Sequence, residues 1–301
     1  MSGLARGWPC SGPKRSRQRK GLVKVADSTF GEAVPVKDLA DGYKIPSLAL
    51  GVWQVPDGHA CRDAVRWALE LGYRHIDTAQ GYGNEASVGE ALKASGLARN
   101  EIFVTTKFHP GHSDPAAELE ASLDRLMLEY VDLYLVHWPQ GGPTWAWPGM
   151  EQAQTLGHAR SIGVSNFDTG ELAQVMGIAK SRPVVNQIQL SPFNSRPALI
   201  EDGRRYQLVH EAYSPLGTGR HLRNTQVQEI ASRNQRSPSE VLIRWGLQRD
   251  FVVLAKSMHR EHLAENFHAL DFRLSDADLS ALDALDQSVP GIAQEQKWWE
   301  D

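Results

Sequence analysis

The sequence predicts an α/β fold, a (β/α)8 TIM barrel of eight parallel strands that each precede a helix. Eight short apolar runs alternate along the 301 residues with longer segments whose apolar residues recur at three- and four-residue spacing. This alternation is typical of a parallel sheet covered by helices, and eight repeats close the sheet into a barrel. Polar residues end several of the runs, which is where such barrels place their functional side chains.

The first 26 residues differ from the rest, because they carry seven lysines and arginines and no acidic residue. A nucleic-acid-binding arm has this composition, but a disordered extension also explains the missing apolar periodicity. Gly21 to Ala26 is too short to be the apolar core of a signal peptide. We therefore predict a disordered basic extension over residues 1–26 and a single barrel domain over residues 27–301.

A β-hairpin is predicted before the barrel, because Asp41-Gly42 is a favoured tight-turn pair between Val34–Leu39 and Tyr43–Pro46. Asp114 and Pro115 are typical of a helix start. The predicted strands are Leu48–Gly51, Tyr73–Asp77, Ile102–Lys107, Val131–His137, Arg160–Ser165, Val184–Gln189, Leu208–Tyr213 and Phe251–Lys256. The clearest predicted helices are Ala60–Leu71, Asn84–Ser95, Pro115–Leu128 and Glu171–Ala179.

The bulk composition excludes several classes of protein. A net charge of −4 argues against a general nucleic-acid or membrane-surface role. The two cysteines, Cys10 and Cys61, are too few for a disulfide framework and fit a reducing compartment. No apolar run approaches the ~20 residues that cross a bilayer. We expect a cytoplasmic protein that acts on a small molecule and has no nucleic-acid or membrane partner.

Four side chains near the predicted mouth suit proton transfer to a carbonyl oxygen. Tyr82 follows Asp77 on a glycine-flanked loop, while Lys107 and His137 end the next two strands. A phenol titrates near ~10, and a nearby ammonium favours its ionised form. A carboxylate can keep that ammonium charged, and a neutral histidine can donate a hydrogen bond to the substrate.

The later strands end in groups that suit a nicotinamide dinucleotide. Asn166 and Gln187 offer amides for a carboxamide, and Tyr213 offers a ring face for stacking. Lys256-Ser257, at the end of the last strand, could hold a phosphate.

Several ordered motifs carry a resemblance to a known family. They are GYRHIDTAQGYGNE (72–85), FVTTK (103–107), VDLYLVHWP (131–139), RSIGVSNF (160–167), NQIQLSP (186–192), AYSPLG (212–217), AKS (255–257) and AENF (264–267). From about Val34 to its C-terminus the chain resembles the aldo-keto reductases. Within that family it is most similar to bacterial diketogluconate-reductase-like members.

The resemblance implies a monomeric enzyme that transfers a hydride from NADPH to an aldehyde or ketone. By motif position Tyr82 would be the general acid, Lys107 with Asp77 would tune it, and His137 would orient the carbonyl. The implied cofactor residues are Val52, Trp53, Ser165, Asn166, Gln187, Tyr213, Ser214, Leu216, Gly217, Lys256, Ser257, His262, Glu265 and Asn266.

One departure from the family pattern concerns the cofactor. His262 stands where the family usually places an arginine on the ribose 2′-phosphate. Arginine is a permanent bidentate cation, whereas histidine is mostly neutral near pH 7. We therefore expect weaker discrimination for NADPH, so that NADH is also accepted, although Arg260 or His259 could compensate.

Aromatic residues near the mouth are the candidate walls of the substrate pocket. The tail from Gln287 to Asp301 lacks helical periodicity, and the resemblance places it over the mouth as a substrate-pocket tail. The predicted wall residues are Trp53, Phe108, Trp138, Trp298 and Trp299.

Alternative functions follow from parts of the same sequence. Gly81 to Ala86 fits the G-x-G-x-x-A dinucleotide fingerprint, but the acidic residue expected about 20 positions on is missing, which excludes a Rossmann site. His75, Asp77 and His137 would suit a metallohydrolase, yet the later strands supply no further metal ligands. Lys107 could form a Schiff base in a barrel lyase. A non-catalytic NADPH-binding regulatory subunit of the same fold is a further alternative.

Overall fold

The computed structural model describes residues 29–31 and 34–288, and its first element is the predicted β-hairpin. Strands β1 (Val36–Asp38) and β2 (Lys44–Pro46) pair antiparallel, and the turn between them holds Gly42 at a φ of +92°. Glycine adopts this backbone without strain. Ile45 is fully buried among side chains of the barrel interior, so the hairpin covers the N-terminal end of the barrel.

The described residues contain the predicted closed barrel of eight parallel strands. Its strands are β3 (Leu48–Gly51), β4 (His75–Asp77), β5 (Phe103–Phe108), β6 (Val131–Val136), β7 (Ala159–Ser165), β8 (Val185–Gln189), β9 (Val209–Tyr213) and β10 (Val252–Ala255). Each strand pairs with the next one in the chain, and β10 closes the ring against β3. The predicted fold class is therefore confirmed.

Helices cover the outside of the barrel. They are α1 (His59–Leu71), α2 (Glu85–Ala94), α3 (Pro115–Leu126), α4 (Trp147–Thr155), α5 (Thr169–Ile178), α6 (Pro197–Arg205), α7 (Thr225–Arg233), α8 (Pro238–Gln248), α9 (Arg260–Phe267) and α10 (Asp276–Asp283). Asp114 caps α3 as predicted, because its carboxylate accepts hydrogen bonds from the backbone N–H groups of Ala116 and Ala117. None of the helices within residues 29–31 and 34–288 meets the length and hydropathy that a membrane span requires.

The barrel interior combines an apolar core with buried polar side chains. Leu133, Val185 and Val252 belong to the apolar part and are fully buried. Among the polar side chains, the amide of Gln187 on β8 donates a hydrogen bond of 2.8 Å to Asp77 on β4. Since these strands lie on opposite sides of the ring, both side chains must point to the barrel axis. The axis thus carries the groups from which the site is built.

The two ends of the chain fall outside these residues. The basic extension predicted over residues 1–26 precedes the described part, and the tail tryptophans Trp298 and Trp299 follow it. The last described residues are attached to the loop after β8. There the Asp286 carboxylate accepts hydrogen bonds from the backbone N–H and the hydroxyl of Ser195, and the Ser288 hydroxyl accepts one from the backbone N–H of Arg196.

Candidate active site

A cavity of about 570 Å³ opens at the C-terminal ends of the barrel strands. Small-molecule sites commonly have volumes of ~300–1,000 Å³, so the cavity has room for a substrate and part of a cofactor. Seven of the eight barrel strands, or the loops that follow them, contribute residues to its lining: Trp53, Asp77, Tyr82, His137, Ser165, Asn166, Gln187, Gln189, Tyr213, Ser214, Leu216, Gly217, Arg220 and Lys256 among others. The structure brings together most of the residues singled out in the sequence.

Lys107 lies beneath this cavity and is completely buried. Its ammonium donates hydrogen bonds to Asp77 Oδ1 at 2.6 Å, to the carbonyl oxygen of Thr78 at 2.8 Å and to the hydroxyl oxygen of Tyr82 at 3.3 Å. An ammonium has three donors, and all three are used. Because the Tyr82 oxygen accepts from Lys107, its own O–H is left to donate into the cavity.

The pKa of Tyr82 corrects one expectation. The ammonium of Lys107 was expected to lower the pKa of this phenol; it does so, but burial raises the pKa more, so the net value lies above the ordinary one. The expectation from the sequence left out burial in the barrel interior, which disfavours a charged phenolate. Tyr82 is therefore protonated at neutral pH, as a general acid must be.

Lys107 is charged for a related reason. Burial alone lowers the pKa of its amine. The negative charge of Asp77, and that of Tyr82 whenever the phenol is ionised, raise the pKa more, so the net pKa lies above its usual value. Burial raises the pKa of the Asp77 carboxyl, and Lys107 and Gln187 offset part of that rise. Schiff-base formation needs a neutral amine, so this environment disfavours a lyase that uses Lys107.

His137 lines the cavity beside Tyr82, with the two ring centroids 5.5 Å apart. Burial, and then the charges of Lys107 and His109, hold the pKa of His137 well below its usual value. The imidazole is consequently neutral and carries one N–H donor. It can donate a hydrogen bond to an oxygen atom that also faces Tyr82.

The predicted carboxamide-binding residues form one hydrogen-bonded group at the ends of β7, β8 and β9. Ser165 Oγ donates to the carbonyl oxygen of Gln187 at 2.8 Å, and Asn166 Nδ2 donates to the carbonyl oxygen of His137 at 3.0 Å. The Tyr213 hydroxyl donates to Asn166 Oδ1 at 2.8 Å, which fixes the ring at the cavity wall. Asn166 has a φ of +64°, a conformation that asparagine tolerates better than most residues. These contacts hold the Asn166 amide and the Tyr213 ring in place before a ligand binds.

The loop after β9 supplies the far side of the cavity. Ser214, Leu216 and Gly217 line it as predicted from the motif, and Arg220 lines it as well. Gly217 has a φ of +56°, and a Cβ there would lie 2.5 Å from the His221 ring, so the position requires glycine. Arg220 was not predicted, although its charge shortly after a glycine-containing turn could have suggested an anion site.

Other predicted cofactor residues do not line this cavity. The Ser257 hydroxyl accepts a hydrogen bond from the backbone N–H of His259 at 3.0 Å, and Asn266 is buried in α9. The Glu265 carboxylate accepts a hydrogen bond from Ser239 on α8. Val52 is fully buried below the mouth. None of these residues is among those that line the cavity.

The exposed start of α9 holds the residue that departs from the family pattern. His262 is exposed, and its ring centroid lies 5.3 Å from that of His259. Arg260, a candidate to compensate for the missing arginine, pairs instead with Glu70 on α1 at 3.6 Å. His259 is thus the better placed of the two candidates to assist His262.

Of the predicted substrate walls, Trp53 lines the cavity. Trp138 is mostly buried, with its ring centroid 4.0 Å from that of His137. Phe108 is fully buried, so it does not form a pocket surface as predicted; it packs edge-to-face against Trp145 at 5.7 Å. Trp145 is 38% exposed and is the ring that reaches solvent at this position. The sequence pattern could not show which of two neighbouring rings covers the other.

The metallohydrolase alternative has no support in the geometry. His75 Nε2 lies 2.9 Å from Thr105 Oγ1, inside the barrel. Burial, and then the charge of Lys107, lower the pKa of His75 to about 3. Throughout residues 29–31 and 34–288 no group of three or more histidine, cysteine, aspartate or glutamate side chains is arranged to hold a metal ion.

The fold and the site together define a barrel protein with a tyrosine, lysine, aspartate and histidine group at its C-terminal mouth. Residues 47–287 match the model of the Aldo/keto reductase family. The chain belongs to this family, as the sequence motifs predicted, and its homologues indicate an oxidoreductase.

Relatives match over most of the chain. An aldo-keto reductase from Mycobacterium sp. (strain MCS) is 44% identical over 272 residues, which are 87% of this chain and 95% of the relative. A 9,11-endoperoxide prostaglandin H2 reductase from Trypanosoma cruzi is 39% identical over 257 residues, 83% of this chain and 90% of that protein. The names of these relatives do not identify a diketogluconate-reductase-like subgroup, which stays a prediction.

Solved structures agree with the fold. An aldo/keto reductase from Brucella melitensis has a TM-score of 0.81 and 37% identity, and the match covers 84% of this chain and 100% of that one. A Gox0644 mutant in complex with NADPH has a TM-score of 0.79 and 35% identity, and covers 85% of this chain and 95% of its own.

Proposed function

We propose that this protein reduces aldehydes or ketones to alcohols with NADPH. When bound, NADPH would supply the hydride for the carbonyl carbon. The carbonyl oxygen also needs a proton, and Tyr82 is the group that can donate it. The observation that carries this proposal is the hydrogen bond from Lys107 to the Tyr82 oxygen, which leaves the phenol proton available for donation to a bound carbonyl oxygen.

The surroundings of Tyr82 favour proton release only during the reaction. Because burial raises the pKa of the phenol, Tyr82 holds its proton until negative charge develops on a nearby oxygen. The phenolate that then forms lies 3.3 Å from the Lys107 ammonium. Stabilisation that appears only as charge moves lowers the barrier rather than the ground state. His137, which is neutral, would donate a hydrogen bond to the same substrate oxygen.

The residues on the opposite side of the cavity fit the cofactor. Ser165, Asn166 and Gln187 form an ordered polar group that suits the nicotinamide carboxamide, and Tyr213 lies beside them with its ring fixed. Arg220 and Lys256 bring positive charge to the cavity lining, which suits the phosphates of a dinucleotide.

A substrate panel tests the proposed activity. We expect NADPH oxidation, followed at the nicotinamide absorbance band, with at least one class among sugars, dicarbonyls, aromatic aldehydes and steroids. The best class would also show whether the resemblance to diketogluconate-reductase-like members extends to the substrate. If the protein binds NADPH but turns over no carbonyl compound, the non-catalytic subunit becomes the better interpretation.

Cofactor selectivity gives a second test, because it depends on His262. We expect the wild-type protein to use NADH as well as NADPH, with kcat/KM values that differ by less than about tenfold. His262→Arg should raise the preference for NADPH by about tenfold or more, since a guanidinium binds phosphate with two charged hydrogen bonds. Arg260→Ala is a suitable control, because Arg260 pairs with Glu70. A strong NADPH preference in the wild-type protein would show that other groups compensate for His262.

The monomeric state, the cytoplasmic location and the extent of the domain over residues 27–301 are part of this proposal. Size-exclusion chromatography with light scattering checks the first, and the other two stay predictions from the sequence.

A further inference from the structure

A second buried carboxyl group lies inside the barrel and has no role in the proton transfer described above. Glu211 is on β9, two residues before Tyr213, and its side chain is fully buried. In the paired strands Glu211 lies opposite Gln187 of β8. Register partners on neighbouring strands point to the same side of a sheet, so both side chains extend to the barrel axis.

The amide of Gln187 connects the two carboxyl groups. Gln187 Nε2 donates one hydrogen bond to Asp77 Oδ2 and one to Glu211 Oε2, and both are 2.8 Å long. An amide nitrogen has two hydrogens, so both are used. With the amide reversed, its oxygen would face two carboxyl oxygens. The two acceptors therefore fix the orientation of the amide and leave its oxygen Oε1 as the group available at the cavity wall, which Gln187 lines.

The groups around Glu211 are compatible with a neutral carboxyl group. Burial, and then the charge of Asp77, raise the pKa of Glu211 to about 8, while Gln187 and Lys107 partly offset the rise. Its other oxygen, Oε1, has no hydrogen-bond partner among the described residues, and His75 Nε2 lies 3.7 Å from it. At neutral pH Glu211 thus retains its proton, and the positive charge of Lys107 neutralises the negative charge of Asp77.

We propose that Glu211 is a positioning residue which, together with Asp77, holds both hydrogens of the Gln187 amide and so presents the Gln187 oxygen to the cavity as an acceptor for a primary amide. This inference rests on the proposed function, in which the primary amide is the carboxamide of the nicotinamide. Glu211 itself touches neither cofactor nor substrate; it acts through Gln187.

Two substitutions separate this role from simple packing. Glu211→Gln keeps the shape and an oxygen acceptor, and it is neutral at every pH, like the protonated acid. Glu211→Leu removes one of the two acceptors, so that Asp77 alone holds the Gln187 amide. The matched control is Glu240→Gln on α8, a buried glutamate on the outside of the barrel whose N-terminal capping position also accepts glutamine.

The probes are NADP+ and its 3-acetylpyridine analogue, which replaces the carboxamide by a methyl ketone and so lacks the N–H donors. We expect the wild-type protein, Glu211→Gln and the control to bind NADP+ about tenfold more tightly than the analogue, measured by tryptophan fluorescence quenching. Glu211→Leu should lose most of this difference in affinity. Wild-type discrimination in Glu211→Leu would overturn the positioning role. Failure of the wild-type protein to bind either dinucleotide would instead overturn the proposed function.

Thermal unfolding provides a readout that needs no cofactor. The folded-state pKa of Glu211 is raised from 4.5 to about 8. Between these two pH values the folded protein holds a proton that the unfolded chain has lost, so the free energy of unfolding falls as pH rises. Glu211→Gln lacks this loss. The Tm of Glu211→Gln minus that of the wild-type protein should therefore increase by roughly 4 °C or more between pH 5 and pH 8.5. A Tm difference that does not change with pH would contradict a neutral buried carboxyl group, whereas the positioning role itself is decided by the dinucleotide comparison.

Discussion

Replacement of Tyr82 by phenylalanine is expected to lower kcat for carbonyl reduction by roughly 10²–10⁴-fold, the usual contribution of a positioned general acid. The variant loses only the hydroxyl, whose oxygen accepts from Lys107 at 3.3 Å. The ring, the amide group around Asn166 and the loop after β9 remain. NADPH binding, measured by fluorescence titration, should therefore change less than threefold.

The control for this experiment is Tyr134→Phe. Tyr134 is buried outside the cavity, and its hydroxyl donates to the carbonyl oxygen of Pro115 at 2.9 Å. Its loss should cost about 1 kcal/mol of unfolding free energy and leave kcat unchanged. If Tyr82→Phe abolished NADPH binding or retained full kcat, Tyr82 would have a different role from the one proposed.

Replacement of Lys107 by methionine should have the largest effect on stability. The ammonium is fully buried and its 2.6 Å contact with Asp77 is the shortest of its three hydrogen bonds. Removing one partner of a buried ion pair leaves the other charge without compensation, which typically costs ~3–5 kcal/mol. For a chain of this size we expect Tm to fall by roughly 10 °C, and kcat to fall at the same time.

A double variant separates the two consequences of this change. In Lys107→Met with Asp77→Asn no buried charge is left without a partner, so most of the lost stability should return. The catalytic loss should persist, because no cation faces the Tyr82 oxygen. Calorimetry and steady-state kinetics on the wild-type protein, Lys107→Met, Asp77→Asn and the double variant would complete the cycle. A Tm for Lys107→Met equal to that of the wild-type protein would contradict a buried charged pair.

Much of the fold could be predicted because the barrel imposes a simple pattern on the sequence. Strands covered on both faces are nearly continuous apolar runs, and this located all eight of them within two residues of their observed bounds. Asp77, Lys107 and His137 could be selected from the same pattern, since a polar residue that ends such a run faces the mouth of the barrel.

The features that were missed depend on three-dimensional surroundings. The position of Glu211 two residues before the end of its strand gave no indication that it shares the Gln187 amide with Asp77, because these contacts join three different strands. The net rise in the pKa of Tyr82 required knowledge of burial, which no spacing of residues provides. The burial of Phe108 behind Trp145 depends on a loop contact that no spacing of residues shows.

The sealed position of Lys107 has a consequence for successive turnovers. Its amine has no access to solvent, and its three hydrogens are held by Asp77, Thr78 and Tyr82. In the proposed reaction, a proton that Tyr82 has given away would not be replaced from below; it would arrive through the mouth, where water would enter once the alcohol has departed. Reprotonation of Tyr82 would thereby be coupled to product departure, and each cycle would end only when water has re-entered the cavity.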